Sequence, residues 1–222
     1  MDVSAAPDAV PRCFPGQTIV CLGGGPSLTP ADVEACHGRA RVVCVNDAIR
    51  LAPWADVLYA ADARWWITHQ ETKLFTGLKF SLQPCIGRAD VTVLRHTGRL
   101  GLERDPAGLR TGGNSGFSAI NVAVHLGATT IVLLGYDMRR IQGRAHWFGS
   151  HVSPLHDPSE SQLVTWRAHF ATLVEPLAAL GIAIVNATPD SALTCFPQRP
   201  LRDALGEVAA CPRQSLAEAL PA

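Results

Sequence analysis

The segment His146-Trp147-Phe148-Gly149-Ser150-His151 sets two imidazoles and two aromatic rings in a short loop broken by glycine. Histidine exchanges its proton near neutral pH, so His146 can serve as a general base, with Trp147 and His151 as contacts for an acceptor or supports for the base. Arg139, Arg140 and Arg144 lie just before the loop and Arg110 further upstream, all candidates to neutralise a phosphate. A histidine in a loop is also a common structural residue. His146, His151 and His156 recur every five residues, which puts them on no common helix face, so spacing argues against a zinc site and no metal ligand set is assigned.

Two glycine-rich stretches offer a place for the anion. Gly23-Gly24-Gly25-Pro26-Ser27-Leu28 lets the backbone turn sharply and expose N–H groups, with the Ser27 hydroxyl beside them. It is not the dinucleotide-binding fingerprint, because the third glycine is absent and Pro26 interrupts the loop; a plain tight turn is the competing reading. Thr111-Gly112-Gly113-Asn114-Ser115-Gly116 opens a helical pattern, where free N–H groups suit an anion and where Asn114 is equally suited to cap the helix. Asn46 and Asp62 each follow an apolar run, as ligand contacts or as caps. In Gly135-Tyr136-Asp137, Asp137 can accept from a ribose or hold a metal.

These residues need elements to bring them together. Residues 17–22, 41–45, 57–61, 91–94, 130–134 and 182–186 are short apolar runs rich in β-branched residues, as expected for strands covered on both faces. Ser115 to Leu126 and Gln162 to Leu180 carry apolar residues at helical spacing. The alternation specifies an α/β fold, a Rossmann-like doubly wound and mostly parallel sheet with helices on both faces, whose ligands bind outside the carboxyl ends of the strands. The glycine loops, Asn46, Asp62 and Asp137 all follow strands or open a helix. Residues 84–113 read as irregular. The expected organisation is an N-terminal extension at 1–16, one domain at 17–197 and a tail at 198–222 with a short helix near 201–210.

With 47% hydrophobic and 17% charged residues, the chain has the balance of a folded protein. Its 19 basic residues equal its 19 acidic ones, which argues against a broad nucleic-acid surface. From Pro106 to His156, however, Asp137 is the sole acid against Arg110, Arg139, Arg140 and Arg144, a formal +3 suited to a small anionic ligand. Seven cysteines without CxxC pairing, Cys21 and Cys44 inside apolar runs, read as buried thiols of a reducing compartment. No run of about 18 apolar residues occurs, so no membrane span and a cytoplasmic protein are expected.

The ordered set GGGPSL, Asn46, NSG at 114–116, GYD at 135–137, HWFGSH and Asn186-Ala187-Thr188-Pro189-Asp190-Ser191-Ala192-Leu193 resembles a superfamily. It contains the bacterial sialyltransferases of the campylobacter lipooligosaccharide type and the archaeal 6-hydroxymethylpterin diphosphokinase-like proteins, and the likeness is greatest to phage and prophage proteins related to both. The resemblance spans about Ile19 to Pro197. It implies a nucleotide-binding Rossmann-like domain in which the glycine loop (Gly23, Gly24, Gly25, Pro26, Ser27), Asn46, Asn114 and Ser115 line the nucleotide; Asp62, Gly116 and Asp137, at the same strand ends and helix start, complete the expected nucleotide-binding set. In the sialyltransferases the residue matching His146 deprotonates the acceptor hydroxyl, so the resemblance implies a glycosyltransferase with a nucleotide-sugar donor and no tightly bound cofactor. Those enzymes carry Asn where this chain has Gly24, and tyrosines where it has Met138, Arg139 and Arg140. The diphosphokinase-like branch implies instead ATP with Mg²⁺ on Asp62 or Asp137, but without a histidine loop. A binding or assembly protein that kept the fold without the chemistry is a third expectation.

Overall fold

The computed structural model describes residues 9–151, 153 and 155–206. Residues 1–8, most of the expected tail (207–222) and Cys211 lie outside the described residues. The chain runs β1 (Thr18–Leu22), α1 (Pro30–Glu34), β2 (Arg41–Val45), β3 (Val57–Tyr59), α2 (Ala63–Thr68), β4 (Leu78–Ser81), β5 (Thr92–Val93), β6 (Arg95–Gly98), β7 (Gly108–Arg110), α3 (Ser115–Leu126), β8 (Thr130–Leu134), α4 (Glu160–Ala171), α5 (Val174–Ala179), β9 (Ala183–Asn186) and α6 (Leu201–Leu205). Single 3₁₀ turns follow β2 and α2, at Asn46–Arg50 and Gln70–Leu74.

Seven strands form one sheet in the order β5-β4-β3-β2-β1-β8-β9, every pairing parallel. The order in which strands are added reverses at β1 and β8: β2 to β5 extend to one side of β1, β8 and β9 to the other. That is the switch point of a doubly wound sheet, where a crevice opens at the carboxyl ends. Side chains alternate along each strand, so the sheet buries two apolar layers. Ile19, Cys21, Val43, Tyr59 and Leu133 pack with Phe117 and Ile120 of α3, Phe170 of α4 and Leu177 of α5. Val20, Leu22, Cys44, Leu58 and Leu134 pack with Val33 of α1, Trp65 and Trp66 of α2 and Leu205 of α6. Cys21 and Cys44 are fully buried, and the six described cysteines are free thiols. Among the described residues no helix is long and apolar enough to cross a membrane.

Four local expectations change. The strand at Leu78–Ser81 was not expected, because Lys79 breaks its apolar character; Lys79 is nonetheless buried, its charge met by Asp90 at 3.1 Å. Residues 84–113 are less irregular than expected: the strand expected at 91–94 forms β5 at the sheet edge, over Thr92–Val93, and the separate parallel pair β6–β7 was not expected. The helix expected over 162–180 starts at Glu160, on a Ser159–Gln162 capping box, and is broken into α4 and α5. Pro176 explains the break: its ring leaves no N–H for the Thr172 carbonyl and clashes with it. Residues 9–16, expected within an extension, are core material, with Phe14 fully buried and its N–H on the Leu126 carbonyl at 2.8 Å.

Candidate functional site

A cavity of about 430 Å³ occupies the switch-point crevice. Its wall draws on the loops after β1, β2, β3 and β8, the amino end of α3, the 145–158 segment and α4. Of the residues singled out in the sequence, Gly23, Gly24, Gly25, Pro26, Asn46, Asp62, Asn114, Ser115, Gly116, Asp137, Arg139, His146 and His151 lie on it, while Ser27, Arg110, Arg140, Arg144 and Trp147 do not.

The glycine loop does a different job from the one expected. None of Gly23, Gly24 and Gly25 has a positive φ, so the turn itself does not require glycine. The requirement is close approach: the Gly23 and Gly25 N–H groups donate to the Leu134 and Gly135 carbonyls, both at 2.8 Å, fastening the loop to the end of β8. A Cβ on Gly25 would collide with the Asp137 carboxylate and the Gly135 carbonyl. Ser27 N–H donates to Asp137 Oδ1 at 3.2 Å and Leu28 N–H to the Gly25 carbonyl. The loop is therefore not an open cradle of N–H groups; Gly24 alone keeps its N–H without a partner among the described residues. Asp137 is buried with Oδ2 unpartnered. Burial pushes its carboxyl above the usual range, opposed by Ser27.

Asn46 and Asp62 part company. Asp62 is a cap, Oδ1 accepting from Arg64 N–H at 2.8 Å, and it also lies on the cavity wall. Asn46 caps nothing: the turn it opens has no side-chain cap, and its own φ is 51°, a strained value for any residue with a Cβ. Asn114 caps α3, Oδ1 accepting from Phe117 N–H at 3.0 Å. Its Nδ2, however, is buried without a partner, and the N–H groups of Ser115 and Gly116 bond no protein acceptor among the described residues. The helix end thus gathers donors with no acceptor, together with the positive end of a 12-residue helix.

The arginines correct a further expectation. Arg110 turns to the Leu100 carbonyl and to Glu103, and Arg144 is exposed off the wall. Arg140 clasps the carbonyls of Gly143 at 3.0 Å and Pro158 at 2.7 Å. Only Arg139 reaches the cavity, joined by Arg64, against the carboxylates of Asp47, Asp62 and Asp137. The basic excess of the 106–156 window is not a basic cavity, because proximity in sequence says nothing of where a long side chain points.

His146 is buried enough that desolvation, with His151 adding to it, lowers its pKa, while Asp157 opposes the change. Its Nδ1 lies 3.3 Å from the Gly24 carbonyl, which can only accept, so Nδ1 carries the proton and Nε2 the lone pair. Nε2 is closed to solvent, has no hydrogen-bond partner and sits 3.5 Å from Asp157 Oδ1. Asp157 itself accepts from His151 N–H at 2.9 Å, and the His146 and His151 rings meet edge to face at 4.5 Å. Phe148 stacks on His146 and lines the cavity, whereas Trp147 packs with the core beneath Arg50. His146, His151 and Asp157 are the described residues whose ligand atoms gather closely enough to hold a metal ion; His156, on the wall, is not among them.

No family model, curated protein or solved structure matches this chain. Function is therefore to be read from the cavity itself.

Sequence reasoning missed several residues at the site. Asp157, which sits 3.5 Å from His146 Nε2 without lining the cavity, stands one residue beyond the window that looked basic. Trp166 of α4 carried only a helical-period signal. Asp47 is nearly buried and joins Trp65 Nε1 at 3.0 Å and His69 Nε2 at 3.3 Å, a pairing across 22 residues that no local pattern shows. His69 Nδ1 also meets the Trp65 carbonyl at 2.8 Å and the Thr68 hydroxyl at 3.0 Å, and an imidazolium donates at both ring nitrogens at once. Burial pulls the Asp47 carboxyl up, but the bonds from His69 and Trp65 override it and hold it at about 2. For His69 burial acts downward and Asp47 overrides it, raising the pKa above the ordinary value.

The sign of the linkage follows. The raised histidine stabilises the fold fully below its unfolded pKa and loses that contribution as pH rises through the folded one; the depressed aspartate contributes above its unfolded pKa and loses it as pH falls toward about 2. Asp47→Asn keeps an acceptor for Trp65 and removes the charge. Denaturant titrations of this variant are expected to show a loss of roughly 1–3 kcal/mol at pH 5, shrinking above the folded pKa of His69 and toward pH 2. A loss independent of pH would mean the pair is not ionised.

Proposed function

We propose that this protein is a nucleotide-dependent transferase of the glycosyltransferase kind, with the donor phosphate at the amino end of α3 and the acceptor hydroxyl activated at the His146 cluster. The observation that carries the reading is one cavity at the switch point lined both by the unsatisfied donors of Asn114, Ser115 and Gly116 and by the His146 imidazole. Helix amino ends with free N–H groups receive phosphate, and about 430 Å³ lies in the range of small-ligand sites. Asn46, held at positive φ on the wall without capping, fits a contact to the nucleoside, since strain of this kind collects at ligand sites.

A second reading is favoured by the acid side of the wall. Asp47, Asp62 and Asp137 suit the Mg²⁺ that accompanies ATP, as a pyrophosphokinase would need. Calorimetry with CMP, CDP and UDP, and with ATP in the presence and absence of Mg²⁺, separates the two. Micromolar binding of a pyrimidine nucleotide is the expected result; binding of ATP only with Mg²⁺ selects the pyrophosphokinase, and no binding of any nucleotide overturns both and leaves a binding or assembly role on the same fold.

A further inference from the structure

We infer that His146, His151 and Asp157 form a site for one divalent transition-metal ion of the zinc or manganese kind. Their ligand atoms all lie within 4.8 Å of one another. Ligands about 2.0–2.2 Å from a common ion stand roughly 3–3.5 Å apart, and the separation of His146 Nε2 from Asp157 Oδ1 is already 3.5 Å.

The surroundings of each ligand support the assignment. His146 presents a lone pair at Nε2 because its Nδ1–H is committed to the Gly24 carbonyl, the arrangement that orients metal-binding histidines. Asp157 is fixed by the N–H of His151, so the carboxylate and the second imidazole are delivered by one short loop. Without a cation, the His146 lone pair, closed to solvent, faces a carboxylate oxygen with no hydrogen bond between them. That is unfavourable for the imidazole, and an ion between the two groups relieves it. A hydroxyl coming from the cavity would find Nε2 shielded by Asp157, which suits a ligand better than a free proton acceptor.

Two imidazoles and one carboxylate are the donor set of zinc, manganese and iron, not of calcium or magnesium, and three protein ligands leave a coordination position unfilled. The charge of the wall agrees. Three carboxylates against two guanidinium groups leave the wall acidic in balance, and a dication supplies positive charge that Arg110, Arg140 and Arg144 do not bring. The ion site stands on the cluster and not on the nucleotide reading. Where that reading also holds, the ion held by His146, His151 and Asp157 would lower the pKa of an acceptor hydroxyl, and His146 would serve as its ligand and not as the base.

The test uses the full chain, stripped with EDTA and dialysed, then titrated with Zn²⁺ and Mn²⁺ by calorimetry and with Co²⁺ by visible absorption. One ion per chain with micromolar or tighter affinity is expected. His151→Ala and Asp157→Asn should each weaken binding at least 100-fold, while His156→Ala should bind as the parent does. Absence of binding by the parent, or unchanged binding in both variants, overturns the site. If the variants do not fold, the parent's Co²⁺ spectrum decides: intense bands of low-coordinate cobalt support the site, and the weak spectrum of the hydrated ion overturns it. A nucleotide titration in EDTA is run in parallel, so that failure of the ion site and failure of the nucleotide reading are seen separately.

Discussion

Asn114→Asp should leave the melting temperature within about 2 °C of the parent and weaken nucleotide binding by roughly 10- to 100-fold. Aspartate is as good a helix cap as asparagine, so the bond now made by Oδ1 to Phe117 N–H survives and the helix keeps its start. What disappears is Nδ2, buried and without a partner in the protein. A donor to a charged phosphate is worth about 1.5–3 kcal/mol, and each 1.4 kcal/mol is tenfold in affinity. A carboxylate in its place also repels the phosphate. Melting curves and calorimetric titration with the nucleotide that binds the parent measure both quantities on one sample. An unchanged dissociation constant would reduce Asn114 to a cap and remove the main support for placing phosphate at α3.

The second large effect concerns stability. Gly25→Ala drives a methyl group into the Asp137 carboxylate and the Gly135 carbonyl, neither of which is the free end of a flexible chain. Overpacking of this kind costs roughly 3 kcal/mol, or about 6–12 °C in melting temperature for a chain of this size. Gly24→Ala makes the contrast, because its Cβ would meet nothing nearer than His146 Nδ1 at 3.5 Å, an ordinary contact. It should melt like the parent. Equal melting temperatures for the two variants would show that the β1 and β8 loops are not locked as described.

The doubly wound sheet was legible because strands buried on both faces are written as continuous apolar runs, and Val42 to Val45 or Ile131 to Leu134 have no other reading. Leu78–Ser81 escaped because Lys79 looks like surface until Asp90 is seen beside it, and that pairing belongs to tertiary structure. Pro176 is different: its signal was present in the sequence and outweighed by the run of leucines around it. At the site, residues that follow strands were found because topology alone carries their backbones to the crevice. The reach of side chains was not legible. Arg110 and Arg140 were expected at the phosphate and spend their charge on backbone carbonyls, whereas Asp157 reaches His146, and Asp47 on the wall reaches His69, through contacts that no local pattern shows.

Arg140 has one more effect. Its guanidinium joins Gly143 and Pro158, so the two ends of the excursion that carries His146, His151 and Asp157 are clasped together. Closing a loop costs chain entropy whenever it happens, and here it happens during folding. A ligand arriving in the cavity meets a segment already confined and has less motion left to freeze, which favours a snug and fast encounter over one that waits for a lid to settle.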